Sequence, residues 1–121
     1  MNTISDKQSD IRVIYKTEEF NRFYEGLSSR VQQKFKYTLN IIQTIYAIPT
    51  KYVKHLENTD LYEMRVSIST NEYRTILFAI DHDSLIQATK IVLLNGFVKK
   101  STKDYNAQIE KAERILKDLE L

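Results

Sequence analysis

The sequence predicts a small α+β domain, with helices packed on one face of an antiparallel sheet that has a mixed edge. Apolar residues first alternate as in a strand, then recur with the helical period in two segments, and then alternate again in three segments before a last helical segment. The stretches between those three segments are short and turn-like, which is typical of antiparallel hairpins. The chain has 121 residues, and we expect one domain over residues 10–121 after a loose polar tail at residues 1–9.

The first two elements are a strand and a helix. Ile11, Val13 and Tyr15 alternate with their neighbours, which predicts a short strand with one mostly buried face. Thr17 is suited to cap the next helix, because its hydroxyl can accept a hydrogen bond from a free amide of the first turn. The apolar positions of that helix are Phe20, Phe23, Tyr24 and Leu27, and Gly26 ends it.

The remaining elements follow from the same periodicities. A longer helix begins at Ser28 or Ser29 and stops before Pro49, because proline disfavours a helical conformation in the residue that precedes it. The three later strands are predicted at Leu61–Ile68, Tyr73–Ile80 and Ile86–Val98, and the closing helix at roughly Asp104–Leu119. The predicted order is therefore β-α-α-β-β-β-α.

The charges are segregated along the chain, although the formal net charge is only +2. Residues 26–56 contain five basic residues and no acid, and residues 84–103 contain four lysines and no acid. If these two segments meet in space, they form a positive surface able to hold phosphates. The sequence has no cysteine, no export signal and no apolar stretch of membrane-spanning length. We therefore expect a cytoplasmic protein without disulfides or thiolate metal sites, and no membrane partner.

Two arginines lie in the predicted middle strands. Strand alternation places Arg65 on the face away from the core, and Arg74 close enough to a strand end to reach solvent. A plain alternative for Arg65 is an exposed ion pair with Glu63 or Glu72, since such pairs are common on sheets.

Four short motifs occur in order between residues 51 and 103. They are K-x-x-K-H-L at residues 51–56, L-Y-E-M-R at 61–65, Y-R-T-I-L-F at 73–78 and I-V-L-L-N-G-F-V-K-K-S-T-K at 91–103. Together with Ile109 and Ala112, they resemble the HigB-like, phage-derived branch of the RelE/ParE toxin superfamily. The resemblance covers nearly the whole chain beyond the tail and agrees with the predicted order of elements.

This resemblance implies a RelE-like fold and a type II toxin that cleaves mRNA on the ribosome, an mRNA interferase. It also implies a cognate antitoxin, a HigA-like helix-turn-helix protein that would mediate any contact with operator DNA. Metal-free cleavage proceeds by attack of a 2′-OH on the adjacent phosphorus and requires a base, an acid and cations for the phosphorane charge. The sequence shows no HExxH, CxxC or clustered carboxylate pattern, so we expect no metal and no cofactor.

The same resemblance suggests which residues do the work. Arg74 and Lys100 are expected to contact the scissile phosphate, with Arg65 close by. Lys54 is a candidate general base, and Tyr105 is expected to orient the nucleophile, stack on a base or donate a proton. The candidates for RNA binding are Lys51, Lys99, Lys103, Phe97 and His55. Plainer alternatives are core packing for the phenylalanine, a loop anchor for the histidine and a solvated strand end for the last lysines.

Two other functions stay open. ParE-like relatives poison DNA gyrase without cutting RNA, and a non-catalytic module would hold nucleic acid or an antitoxin by charge alone. The nuclease interpretation requires the cationic groups of the middle strands, of the loop before them and of the last strand to converge around one nucleotide linkage. It fails if those groups are scattered over opposite sides, or if the protein's own carboxylates neutralise them.

Overall fold

The computed structural model describes residues 9–121, so the tail predicted at residues 1–9 lies, apart from its last residue, outside the described part of the chain. The helices are α1 (Glu18–Glu25), α2 (Ser29–Thr44) and α3 (Thr102–Leu119). The strands are β1 (Val13–Lys16), β2 (Val53–His55), β3 (Leu61–Ile68), β4 (Asn71–Ala79) and β5 (Lys90–Val98). Within residues 9–121, none of the helices has the length and apolar character that crossing a bilayer demands.

The strands form one five-stranded sheet in the order β1-β5-β4-β3-β2. β1 pairs in parallel with β5, and all other neighbours are antiparallel. The predicted α+β class and its mixed edge are therefore confirmed. The element order differs only by β2, whose 3 residues are too few for a periodicity to reveal.

Each helix begins at a hydroxyl cap. The caps are Thr17, Ser28 and Ser101, and the side chain of each accepts a hydrogen bond, at 3.0 to 3.4 Å, from the amide of the third residue after it. These bonds satisfy amides that have no partner within the helix. The cap at Ser101 makes α3 start at Thr102, slightly before the predicted Asp104.

Strand β5 begins later than predicted, at Lys90 rather than Ile86. The chain between β4 and β5 turns back on itself first, with the Ala88 amide donating to the Ser84 carbonyl at 3.0 Å. Leu85 and Ala88 of this turn are buried in the core on the α2 side, whereas Ile86 is 40% exposed, so apolarity alone does not mark the turn as a strand.

Two apolar cores lie on opposite faces of the sheet. On one face, α1 and α2 cover residues such as Phe35 and Leu93, which are wholly buried. On the other face, α3 packs through Ala112 against Leu94 and its neighbours. The expectation that all helices pack on one face is corrected here. Strand β5 is apolar on both faces from Ile91 onward, so each face needs a cover.

The alternating apolar residues in and before β1, predicted to form a mostly buried face, are instead exposed. Ile11, Val13 and Tyr15 are 40%, 53% and 48% exposed, whereas Arg12 is only 1% exposed. The Arg12 guanidinium donates to five backbone carbonyls at 2.6 to 3.3 Å, three of them in the last turn of α2 and just beyond it. It therefore acts as a C-cap of α2, where free carbonyls and the helix dipole favour a cation.

Candidate active site

The predicted arginines lie side by side on the sheet face that α3 covers only in part. Arg65 of β3 pairs with Arg74 of β4, which in turn pairs with Phe97 of β5. In the neighbouring row, Lys54 of β2 pairs with Glu63 of β3. Residues two apart on a strand share a face, so all five side chains start from the α3 side of the sheet.

Glu63 is the centre of this cluster. It is only 2% exposed, and its Oε1 accepts a hydrogen bond of 2.6 Å from the Tyr105 hydroxyl of α3. Its Oε2 lies 3.3 Å from Arg65 Nε, and its Oε1 lies 3.5 Å from Arg74 Nε. One buried carboxylate therefore joins two strands and a helix.

The two Nε–H groups are not fully used by these ion pairs. Arg65 Nε and Arg74 Nε are buried and have no partner in hydrogen-bond geometry, although Glu63 is within ion-pair distance of both. A buried donor without a partner is rare and costly. Glu63 therefore balances the charge of both arginines without completing a hydrogen bond to either Nε–H group.

Glu72 holds Arg74 from the other side. Its Oε1 accepts hydrogen bonds from the Ser67 hydroxyl at 2.8 Å and from Arg74 Nη1 at 3.2 Å. The bond from Ser67 first, and then that from Arg74, lower the pKa of Glu72. We call Glu63, Arg65, Glu72 and Arg74 the charge quartet, and its formal charges cancel.

Tyr105 closes the cluster from the first turns of α3. Burial, and then the hydrogen bond and charge of Glu63, raise the pKa of Tyr105 well above its usual range. Its phenol is therefore protonated at neutral pH and can donate a proton but cannot act as a base. The Lys99 ammonium lies 5.4 Å from the centroid of the same ring, close enough for a cation–π contact.

The structure thus brings together several of the predicted residues. Arg65, Arg74 and Tyr105 meet at Glu63, Lys99 lies against the tyrosine ring, and Lys54 stands beside Glu63 by strand register. Both lysines are exposed. They form the rim of the site around the neutral charge quartet.

Three predicted residues at the junction of β5 and α3 have different surroundings. Phe97 is only 6% exposed and meets the Tyr105 ring edge-on at 6.0 Å. It is therefore a core residue, as in the plainer alternative, and offers no open surface on which a base could stack. Lys100 and Lys103 are exposed next to the cap of α3, and their expected contacts with RNA stay a prediction.

The remaining two predicted residues lie away from the quartet. The Lys51 ammonium lies 5.0 Å from the centroid of the Tyr52 ring, and that ring packs against the core on the α2 side. His55 Nε2 is 2.8 Å from the Thr59 carbonyl, which it can reach only as a donor. That contact matches the loop-anchor alternative for the histidine.

Sequence reasoning did not assign a role to Glu63. Alternation placed it on the same face as Arg65, and it was named only as a partner in an exposed pair. The missing information was the position of α3, which buries this face and turns an ordinary ion pair into the centre of a site. The available signal was that Glu63 lies two residues before Arg65 on one strand, so that both side chains share a face and can form an ion pair.

The cluster has the groups for acid–base chemistry on an anion. It offers a carboxylate, a protonated phenol and two guanidiniums within a few ångströms of one another. Among residues 9–121, no group of three or more His, Cys, Asp or Glu side chains is arranged to hold a metal ion.

Residues 22–117 match the family model described as Phage derived protein Gp49-like (DUF891). The chain belongs to this Gp49-like family. The match confirms the phage-derived family predicted from the motifs, whereas the HigB-like branch stays a prediction. No curated protein sequence matches the chain significantly.

Two solved structures resemble the fold of this Gp49-like chain. A mutant of the E. coli toxin RelE in the free state, with two arginines replaced by alanine, has a TM-score of 0.59 and 15% identity, and the match covers 84% of this chain and 97% of RelE. A chain of the intact E. coli RelBE toxin–antitoxin complex has a TM-score of 0.50 and 16% identity over 74% of this chain and 96% of its own. At such low identity the likeness shows the fold alone, which is that of a RelE-type toxin.

Proposed function

We propose that this Gp49-like protein is the toxin of a type II toxin–antitoxin pair and cleaves mRNA on the ribosome, in the cytoplasm, as a metal-independent endoribonuclease. The observation that carries the proposal is the meeting of Glu63, Arg65, Arg74 and Tyr105, with two buried guanidinium donors left unsatisfied. Fixed donors in a site of low dielectric suit an oxygen that gains negative charge during a reaction. The RelE-type fold supports the toxin assignment.

The arrangement meets the requirement that cationic groups converge, but it also shows the neutralisation that counts against a nuclease, so the proposal stands only if the charge quartet opens. Two carboxylates neutralise the two arginines. Arg65 has 34% of its side chain exposed and Arg74 only 5%, so a phosphate reaches the second guanidinium only if the first turns of α3 move. When Tyr105 leaves Glu63, Arg74 opens to the substrate and the carboxylate loses its phenol donor.

After that movement, the chain holds the groups that 2′-OH attack requires. Glu63, or Lys54 in the same row, takes the 2′ proton as the 2′ oxygen bonds to phosphorus. Arg65 and Arg74 stabilise the charge of the phosphorane. The P–O5′ bond then breaks, and the protonated phenol of Tyr105 supplies the proton that the leaving oxygen takes. The products are a 2′,3′-cyclic phosphate and a 5′-OH.

Mapping mRNA 5′ ends after inducing the protein in cells tests this function. We expect cuts at a fixed position within codons that leave 5′-OH ends. Arg65→Lys keeps the charge but removes the planar fork, and we expect it to slow cleavage roughly 100-fold, as for loss of one oriented donor. The matched control is Arg22→Lys on the exposed face of α1, where Arg22 pairs only with Glu18 and Glu19.

Two results would contradict the nuclease. An SOS response without mRNA cuts would indicate a gyrase poison, and neither effect would indicate a non-catalytic module. The second of these is the rival candidate, because the exposed lysines of the rim can hold an anionic partner without any opening of α3. A binder that acts by charge alone should tolerate Arg65→Lys.

A toxin of this kind requires a neutralising partner. The RelE-type fold supports an antitoxin, and we propose a HigA-like helix-turn-helix protein that covers the rim lysines or displaces α3. Co-expression with the neighbouring small gene product tests this: growth should recover and the two chains should purify together. Recovery without a complex would contradict direct neutralisation.

A further inference from the structure

A second cationic surface lies between α2 and the end of β3. It is a groove of about 660 Å³ whose walls include Arg30, Lys34, Tyr37, Tyr52 and Ser69. Tyr52 packs against the core on the α2 side, whereas Ser67, which also lines the groove, donates to Glu72 Oε1 at 2.8 Å. The groove therefore runs from the α2 side to the edge of the charge quartet. The mechanism proposed above does not use any of these side chains.

The groove presents an aromatic ring to solvent. Tyr37 is 57% exposed, although a tyrosine on a helix more often turns its ring toward the core. Its ring meets that of Tyr52 edge-on, with centroids 6.4 Å apart and an interplanar angle of 63°. The outer face of Tyr37 is thus held in place and open.

Both charged residues that line the groove, Arg30 and Lys34, are basic, and Glu72 stands at one end of it through its hydrogen bond with Ser67. Residues 26–56 contain no acid, and the first turn of α2 has none. The hydrogen bond with Tyr37, and then the nearby Lys51 and Lys34, lower the pKa of Tyr52. Cations and an open ring are the two components of sites for single-stranded nucleic acid, in which phosphates follow the charge and bases stack on the aromatics.

We propose that this groove binds single-stranded RNA beside the linkage that the active site cleaves, with a base stacked on Tyr37 and phosphates at Arg30 and Lys34. The position relative to the cleavage site rests on the proposed nuclease function. The two sites meet at Ser67, which lines the groove and donates to Glu72 of the charge quartet, and the Arg65 amide donates to the Tyr52 carbonyl at 2.8 Å. An acidic peptide would use the cations but would not require the open ring, so RNA fits the groove better.

A binding measurement that needs no cleavage tests the inference. The probe is a short fluorescein-labelled 2′-O-methyl oligouridylate, which lacks the attacking hydroxyl, and binding is followed by fluorescence anisotropy. Tyr37→Ala should raise Kd about 5-fold to 150-fold, the range for loss of one base–aromatic stack, whereas Tyr37→Phe should retain binding. Lys34→Ala should also lower the salt dependence of log K by about 0.7, the value for one phosphate contact on a single strand.

Lys36→Ala is the matched control. It removes the same charge from the same helix, but Lys36 lines a different depression, with Leu39 and Asn40, and Kd should stay nearly unchanged. Because Tyr37 is exposed, its variants should fold, which thermal melting checks. If Tyr37→Ala and Lys34→Ala bind the probe as Lys36→Ala does, or weaken only an antitoxin complex, the inference is overturned. A wild-type protein that binds the probe through Tyr37 but cuts no mRNA would support the RNA groove and contradict only the nuclease.

Discussion

Arg12→Met removes the buried guanidinium that caps α2 and keeps a side chain of similar length. The two fully buried bonds, to the carbonyls of Leu85 and Ile42, should cost about 1–3 kcal/mol each when the acceptors lose their donor. Water can reach the three partly buried carbonyls, so their loss should cost about 0.5 kcal/mol each. Removing a buried cation recovers part of this sum, and we expect a net loss of about 3–5 kcal/mol of unfolding free energy.

Urea unfolding followed by circular dichroism measures this loss. A loss of about 3–5 kcal/mol is a large share of the 5–15 kcal/mol that holds a typical domain together, so the midpoint should fall by about 2 M for a slope near 2 kcal/mol/M. Lys16→Met is the control, because Lys16 is an exposed residue of the adjoining strand β1 and should change stability by less than about 0.5 kcal/mol. A loss below about 1 kcal/mol for Arg12→Met would refute the capping role.

Three further predictions concern the α3 side and the sheet. Glu63→Gln keeps the shape of the side chain but removes one of the carboxylates beside the buried Arg74 guanidinium. Urea unfolding should show a loss of about 3–5 kcal/mol of unfolding free energy. An unchanged midpoint would contradict the central role of Glu63 in the cluster. The pKa of Tyr105 is raised in the folded protein, so wild-type stability should fall as pH rises above about 10, where the unfolded phenol ionises. Tyr105→Phe should show a smaller alkaline loss in thermal melts between neutral and high pH, and equal slopes would argue against the burial of the phenol. A Cβ on Gly96 would lie 3.0 Å from Phe23 Cγ and closer still to other ring atoms, so Gly96→Ala should cost about 1–3 kcal/mol. Gly26→Ala, where the nearest atom is a carbonyl oxygen at 3.6 Å, should cost less, and equal losses would exclude the ring contact as the cause.

Periodicity was enough to predict most of the fold. Strand β3 begins and ends where alternation places it, at Leu61–Ile68, and the caps at Thr17 and Ser28 follow from side-chain chemistry. Periodicity failed where a residue's partner is distant in sequence. Arg12 looks like a surface residue until the end of α2, about thirty residues away, supplies carbonyls for it. No local pattern in the sequence contains that information.

The candidate site shows the same limit. The sequence indicated which cations matter but not how they are balanced, because the position of α3 over the sheet decides whether Glu63 is exposed or buried. Charge segregation along the chain suggested one positive surface, whereas the structure divides the basic residues between the rim around Lys99 and the groove around Lys34. Segregation in sequence therefore predicted the presence of cationic surfaces but not their number.

In the proposed function, the basic rim and the neutral charge quartet have different roles. The rim attracts the RNA, and the quartet holds the groups that react with it. Opposite charges within a few ångströms cancel at a distance, so the quartet adds little to the field that a polyanion meets as it approaches. That field comes from exposed lysines such as Lys54, Lys99, Lys100 and Lys103, and salt screens exposed charges over about 10 Å at 0.1 M. The contacts within the quartet are short and partly buried, and salt affects them much less. For the proposed nuclease, rising salt should therefore weaken RNA association while leaving the geometry of the quartet intact, so that affinity falls before the rate at saturation does.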